Sequence, residues 1–518
     1  MPRSSPHPAP ARHTAGPAHT RADLDALRPD LVAGYDAELP GARAAVLARL
    51  IGALDREDLP GLVYRDGDRE LGIGMARFAD GTEVRYPARA AALFAPGTPG
   101  LAVRVTRPGG PGPENHRDET GADPGALVRL LWPDTPLAAE VDNSVANLAL
   151  ARADRPAPDL PAPHDLGRIE QLLTDGHPVH PCCRTRGGMT VADVLAYAPE
   201  HSPVIRLRRF RVPADRWYGT APPILFAHPW QAARLQDRYP WLADDGETGP
   251  ARPLMSLRTV APLGGGPHVK TAVDVQMTSA VRTVSPAAVH NGPILSALIR
   301  TLTADLPIDI LAETGAGAVV VDGQPQRHLA YLRREAPSLG RGETAVPMAV
   351  LSATPMLLGR VHDAYEFMAL LGDVLFAPLL ALLKRGVALE AHGQNTLVVL
   401  RDGRPVRILY RDLGGVRVSS TTVDLEGDLP SDDPQVLRDK LTAAAFSTVA
   451  AELIDALART RGADEHRLWG IVAQAIKGTA DGRHILGNPL PIKATTAMRL
   501  AADPLEDRWA RIDNPMAA

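Results

Sequence analysis

Short polar stretches carry the side chains best suited to chemistry on anions. One is Gly176-His177-Pro178-Val179-His180-Pro181, followed by Arg184, Arg186 and Gly187-Gly188. Guanidinium forks grip carboxylate or phosphate bidentately, and imidazoles donate beside them. A proline-stiffened surface turn accounts for these residues equally well. A second stretch, His228-Pro229-Trp230-Gln231, reads more readily as a structural corner around a buried tryptophan.

A third stretch holds Ser256, Arg258 and Thr259, then Gly264-Gly265-Gly266, then Lys270. The glycines predict a turn between two strands. Folding about Gly265 sets Val260 opposite Lys270 and brings Ser256, Arg258 and Thr259 near the ammonium. Two hydroxyls, a guanidinium and an ammonium form a phosphate cradle. The spacing is neither a Walker motif nor a kinase glycine loop. A merely solvated hairpin is the competing reading. Against it, only Lys270, Lys384, Lys440, Lys477 and Lys493 are lysines among the 56 Lys+Arg, so a retained lysine carries weight.

Thr278-Ser279-Ala280-Val281-Arg282-Thr283 follows. A straight strand from Lys270 to Arg282 would span roughly 40 Å at about 3.3 Å per residue, too long for one small-molecule site. Either the chain bends near Met277, with Thr278 or Ser279 as a helix N-cap, or these residues serve different sites.

The most informative stretch is Glu390-Ala391-His392-Gly393-Gln394-Asn395, then an apolar strand, Asp402-Gly403, a second strand and Arg411-Asp412. Asp402-Gly403 is a hairpin turn. It sets Asp412 opposite Gly393, beside His392 and Asn395. A carboxylate and an amide oxygen side by side suit Mg²⁺, and protein kinases hold Mg²⁺ with the same two residue types. His392 would face phosphates or an attacked carboxylate. Solvated hairpin ends are the alternative.

The elements that must position these groups change texture along the chain. Residues 21–160 alternate a helix (Ala44–Leu54) with short strands (Leu62–Tyr64, Glu83–Tyr86). They also contain loops at Arg107–Gly125 and Ala151–His164. Residues 161–311 alternate strands with His, Pro, Arg and Thr clusters. Residues 312–518 open with strands at Gly317–Val321 and His328–Leu332. They continue through an apolar helix at Tyr365–Leu383 and end in helices such as Leu437–Arg459. Strands and helices in runs predict an α+β multidomain protein.

The 518 residues allow two or three cores. With 45% hydrophobic and 22% charged residues the chain is an ordinary globular protein. A net charge of -4 offers no basic field for nucleic acid. Adjacent Cys182 and Cys183 form neither a disulfide framework nor a zinc site, which fits a reducing cytoplasm. Residues 1–20 lack a secretory apolar run and are expected to form a disordered tail. Glu366, Asp373 and Pro378 interrupt the longest apolar stretch, so a buried helix is expected there rather than a membrane span.

Taken together, the sequence resembles the NRPS-independent siderophore synthetases, the family of the aerobactin synthetases. The matching segments run in the family's order: GHPVHPCCRTRGG (Gly176–Gly188), YAPEH (Tyr197–His201), HPWQ (His228–Gln231), SLRTV (Ser256–Val260), KTAVDVQMTSAVRTVSP (Lys270–Pro286), EAHGQNTLVVL (Glu390–Leu400), RDLGG (Arg411–Gly415) and PIKATTAMRL (Pro491–Leu500). The resemblance implies a thumb (21–160), fingers (161–311) and a kinase-like palm (312–518). It implies ATP, Mg²⁺ and an acyl adenylate formed on citrate or a citrate-like acid. An amine or alcohol then attacks that adenylate, with AMP and pyrophosphate released.

By the same resemblance, Ser256, Arg258, Thr259 and Lys270 are phosphate ligands. Arg282 neutralises substrate carboxylate and phosphate, and His392 contacts both reactants. Asn395 and Asp412 hold metal or phosphate, while His180, Thr278 and Glu390 line the acid pocket. A cytoplasmic homodimer, with no membrane or nucleic-acid partner, is implied. Relatives often carry lysine where this chain has Arg184, which points to codon drift or a changed pocket. Competing readings are a kinase-like phosphotransferase making ADP, the same synthetase chemistry on a citryl, succinyl or α-ketoglutarate derivative, and a non-catalytic chelator-binding protein.

Overall fold

A computed structural model describes residues 14–68, 71–108, 116–155, 161–419, 423–504 and 506–517. Among them, alternating burial builds a first sheet of five antiparallel strands in sequence order: Leu62–Asp68, Ile73–Phe78, Glu83–Pro87, Val103–Pro108 and His116–Gly121. Ala76, Phe78, Val84, Tyr86, Val103 and Val105 form its buried face, in one core with helices Val32–Arg56 and Leu137–Ala153.

The helix expected over Ala44–Leu54 is thus the inner half of a longer one. The loop expected over Arg107–Gly125 carries strand at both ends. Cross-strand pairs hold it there, Thr106 to Asp118 at 2.7 Å and Arg107 to Glu119 at 2.8 Å. Its centre, residues 109–115, lies outside the described residues. The expected tail gives way to a helix, Pro17–Leu27, anchored by buried Leu24; residues 1–13 lie outside the described residues. The proline-rich loop begins only after the helix ends at Ala153, and its residues 156–160 are likewise outside.

The second sheet has six described strands, all antiparallel. Their order is Ala251–Pro253, Thr259–Pro262, His268–Thr271, Gln324–Arg334, Glu313–Val321, Trp217–Gly219. The third has Ile308–Ile310 parallel to Arg404–Tyr410, then Thr396–Arg401 and Glu343–Pro347. Mostly antiparallel sheets with segregated helices make the fold α+β.

Two helical stretches are long and apolar enough to cross a bilayer, Ala364–Lys384 and Pro434–Arg461, but 67% and 78% of their apolar windows are buried inside the protein. Phe367, Met368, Leu371, Leu375 and Phe376 point into the largest core, while Glu366 and Asp373 stay exposed. The chain's end packs with its beginning, since Ile492 and Ala497 share a core with Leu47 and Leu54.

Candidate functional site

The polar stretches meet where the strand His268–Thr271 of the second sheet approaches the end of Arg404–Tyr410 in the third. Lys270 is buried on its strand, and its ammonium donates to Asp412 Oδ1 at 2.6 Å. Asp412 lies just beyond the strand Arg404–Tyr410, in a left-handed conformation with φ 70°. Such a conformation in a non-glycine residue is held by its surroundings and often marks a functional position.

Both expected registers are off by one. Lys270 pairs with Thr259 rather than Val260. Gly265 and Gly266 both take positive φ (77° and 97°), which moves the centre of the turn toward Gly264. In the other hairpin, Arg401 pairs with Arg404 and Leu400 with Pro405, but Val399 then pairs with Arg407. Proline cannot donate to the ladder, and the strand bulges beside it. Arg411 N consequently donates to Asn395 O at 3.1 Å, and Asp412 falls beside Gln394.

The bend expected near Met277 exists, but as a hairpin turn between Val273–Met277 and Ala280–Arg282, with Thr278 at φ 53°. Ser285, not Thr278 or Ser279, caps the helix that follows, accepting from Ala288 N at 3.1 Å. The turn returns Arg282 toward Lys270. Arg282 donates to Thr278 Oγ1 at 2.6 Å and Met277 O at 3.0 Å. Arg258 is anchored by one nitrogen on Thr283 O at 2.6 Å. The backbones of Gly187 and Gln276 pair, so the His-Pro stretch lies against this hairpin. His180 Nε2 then reaches Ser279 Oγ at 2.7 Å, with the His177 ring edge-on at 6.0 Å.

Electrostatics distinguishes this cluster from ordinary ion pairs. Burial pushes the Arg258 guanidinium down to about 10, with Arg282 pushing the same way. Burial also lowers Lys270 and Arg282. Burial alone would raise Asp412, yet Lys270, Arg334 and Arg258 hold its carboxyl well below the usual range. One carboxylate therefore faces several cations. Burial and neighbouring positive charge drop His177 to about 3, and burial lowers His180 and His392 as well. All three imidazoles are neutral at physiological pH, able to donate or accept.

Lys270, Arg282, Thr278, Arg258, Asp412, His180 and His392 are thus brought into one neighbourhood. Asn395 follows by its backbone pairing to Arg411. Thr259 sits beside Lys270 on the adjacent strand. The Ser256 hydroxyl makes no hydrogen bond to a described residue, while its carbonyl accepts from Arg258 N at 2.7 Å. Glu390 is placed differently from the sequence expectation. Its Oε1 accepts from both Lys440 and Lys493 at 2.9 Å. A carboxylate committed to two ammoniums positions those cations and repels an acid.

Arg184 and Arg186 are not open to a ligand either. Both donate to buried Glu200, at 3.1 and 2.8 Å. Arg184 also binds the carbonyls of Thr174 and Leu173. The His228 corner is structural, as expected: its Nδ1 caps a helix by accepting from Trp230 N at 3.2 Å.

Other residues of the site escape sequence reasoning. Arg411 forms a fully buried pair with Glu170 at 2.6 Å, and Glu170 also accepts from Met255 N at 3.0 Å, next to Ser256. Glu313 accepts from Leu413 N at 3.5 Å beneath Lys270 and Asp412. Lysine scarcity does point to Lys440 and Lys493. Nothing local in the sequence points to Glu170 or Glu313.

Among the described residues no group of three or more His, Cys, Asp or Glu is arranged to hold a metal. Asp412 and Asn395 offer one ionised carboxylate and one amide. That donor set fits Mg²⁺ arriving with a polyphosphate, since Mg²⁺ keeps waters and takes few protein ligands. It does not fit a resident metal cage.

Comparison with known proteins gives concordant matches. The profile described as IucA / IucC family matches residues 165–223 and 223–353. One described as ferric iron reductase FhuF-like transporter matches residues 367–515. Staphyloferrin A synthase of Staphylococcus aureus is 27% identical over 426 residues, covering 68% of this chain and 73% of that protein. D-ornithine–citrate ligase of the same species is 23% identical, covering 61% of each. The ATP-bound aerobactin synthetase IucA of Klebsiella pneumoniae has the same fold, with a TM-score of 0.73 at 18% identity over 92% of this chain and 99% of that one. The petrobactin biosynthesis protein AsbB of Bacillus anthracis aligns with a TM-score of 0.73 at 18% identity, covering 96% and 97%. With these matches joining the motifs and the fold, the chain is similar to the IucA / IucC family over residues 165–223 and 223–353 and shares the fold of the aerobactin synthetases.

Proposed function

We propose that this protein is an ATP-dependent siderophore synthetase. It adenylates a carboxylate of citrate, or of a citrate-like acid, and joins the acyl group to an amine or alcohol. The observation that carries the reading is the contact of Lys270 with Asp412 at 2.6 Å, which joins the two polar hairpins into one buried, cation-rich pocket. A polycarboxylate and ATP repel each other, and such a pocket lowers that repulsion before any bond forms. The relatives named as citrate ligases support the choice of acid.

In this reading Arg258, Lys270, Thr259 and Ser256 bind the phosphates. Arg282 lies between phosphate and acid, held by Thr278 and the Met277 carbonyl. A carboxylate oxygen attacks the α-phosphorus and pyrophosphate leaves. His392, neutral and adjacent, contacts both reactants, and His180 orients Ser279 toward the acid. Mg²⁺, when bound by Asp412 and Asn395 with phosphate oxygens, supplies charge neutralisation. Glu390 sets Lys440 and Lys493 at the pocket edge. The division into thumb, fingers and palm at residues 160 and 311, a homodimeric state and a cytoplasmic setting belong to the same proposal.

The test is pyrophosphate release from ATP with citrate, α-ketoglutarate and succinyl derivatives, with and without hydroxylamine. Citrate-dependent pyrophosphate and a citryl hydroxamate are expected. ADP as the product would favour a phosphotransferase, and no turnover with any acid would contradict the reading.

A further inference from the structure

A second cavity, of about 1000 Å³, lies away from the polar pocket and shares none of its residues. One wall is the segment Pro87–Leu101. The others are the helices carrying Ser447, Asp455 and Trp469, and the terminal strands at Leu490 and Ile512. The volume is that of a site for a small organic molecule.

Several observations mark it as a binding site rather than a packing gap. Ser447 is fully buried in the wall of the cavity, and its hydroxyl has no hydrogen-bond partner among the described residues. It sits on a π-helical turn, Ala445–Ala450, a distortion frequently found at functional sites. The facing wall is fixed. Gly97 has φ 58°, and a Cβ there would stand 2.4 Å from the Ala44 carbonyl, so the segment is pressed onto the helix Val32–Arg56.

The lining also defines the ligand. Phe94 and Trp469 offer aromatic faces. Glu465 and Asp513 are exposed, line the cavity and form no ion pair among the described residues, whereas Asp455 is neutralised by Arg459 at 2.7 Å. Arg89, on the loop wall, is the one basic lining residue. Unpaired carboxylates beside aromatic faces attract cations, by charge and by the ring quadrupole.

We propose that this cavity binds a small amphipathic amine, its apolar body between Phe94 and Trp469 and its ammonium toward Glu465 and Asp513. The site is separate from the synthetase pocket. Ser447 lies seven residues beyond Lys440 on the same helical stretch, about 10 Å away at 1.5 Å per residue.

Calorimetric titration of the full-length protein with phenethylamine tests this, with phenylacetate as the matched acid. The reading is of binding alone, so it stands or falls independently of turnover. Saturable binding of the amine and not the acid is expected. Ala451→Phe or Leu93→Trp, each filling the cavity from a different wall, should weaken it at least about tenfold. The exposed pair Glu465→Gln/Asp513→Asn, which leaves the core untouched, should weaken the amine about tenfold. No saturation, equal binding of phenylacetate, or unchanged affinity in the carboxylate variant would each overturn the proposal.

Discussion

Two buried charge clusters within one motif set behave in opposite ways. In the first, Arg184 and Arg186 share Glu200, whose side chain is 0% exposed. Burial would raise Glu200, but the two guanidiniums hold it at about 2. In the second, Asp412 faces Lys270, Arg258 and Arg334, and Arg282 lies in the same field. In the first cluster each guanidinium bonds a carboxylate and spends further donors on backbone carbonyls. In the second, Arg258 and Arg282 hydrogen-bond only to neutral oxygens, Thr283 O, Met277 O and Thr278 Oγ1. All these residues are Arg, Lys or acid, and most lie in the quoted motifs. What separates scaffold from site here is whether each guanidinium is already hydrogen-bonded to a carboxylate.

The largest expected effect falls on the unbalanced cluster. Arg282→Ala should lower citrate-dependent pyrophosphate release about 10²–10³-fold, the usual consequence of removing one preorganised charge from a site of developing negative charge. Its melting temperature should stay near wild type, because an excess cation is removed.

Glu200→Gln should do the reverse. It leaves two buried guanidiniums without a carboxylate, and the expected loss is about 3 kcal/mol of stability, read by denaturant unfolding. Arg184→Lys should fall well short of that, because one ammonium donor to Glu200 survives.

Lys493→Met is intermediate. Glu390 keeps Lys440, and the expected result is a several-fold rise in KM for the acid with a smaller change in kcat.

The last effect concerns pH and is confined to acid conditions. Burial lowers His228 to about 3 in the folded protein, against about 6.5 unfolded. Between those values the unfolded chain binds the extra proton, so stability falls as pH drops through this window, by up to about 1.4 kcal/mol per pH unit. His228→Asn keeps an N-cap acceptor and removes the titration. Its melting temperature should therefore depend less steeply on pH between about 6.5 and 3 than that of wild type.

Local patterns in the sequence were enough to place the hairpins and the two apolar helices. Alternation and turn glycines are local signals, and Asp402-Gly403 fixed its turn correctly. Register failed by one residue in both hairpins, because a bulge beside Pro405 and paired left-handed glycines depend on how strands meet neighbours. Lysine scarcity marked Lys270, Lys384, Lys440, Lys477 and Lys493 alike, and only the fold shows that Lys440 and Lys493 share Glu390. Glu170 was unreadable: its partner Arg411 is 241 residues away, and an acid in a short helix looks the same whether solvated or buried. Glu390 was assigned to the acid pocket only by resemblance to the family's motif. Only the fold shows that two ammoniums already occupy its carboxylate.

The most direct test is chromatographic identification of the nucleotide product from ATP and Mg²⁺, with and without citrate, in wild type and Arg282→Ala. A pocket that carries surplus positive charge to join nucleotide and acid should give AMP only when citrate is present, and almost none in the variant. AMP formation at wild-type levels in Arg282→Ala, or ADP in place of AMP, would contradict it.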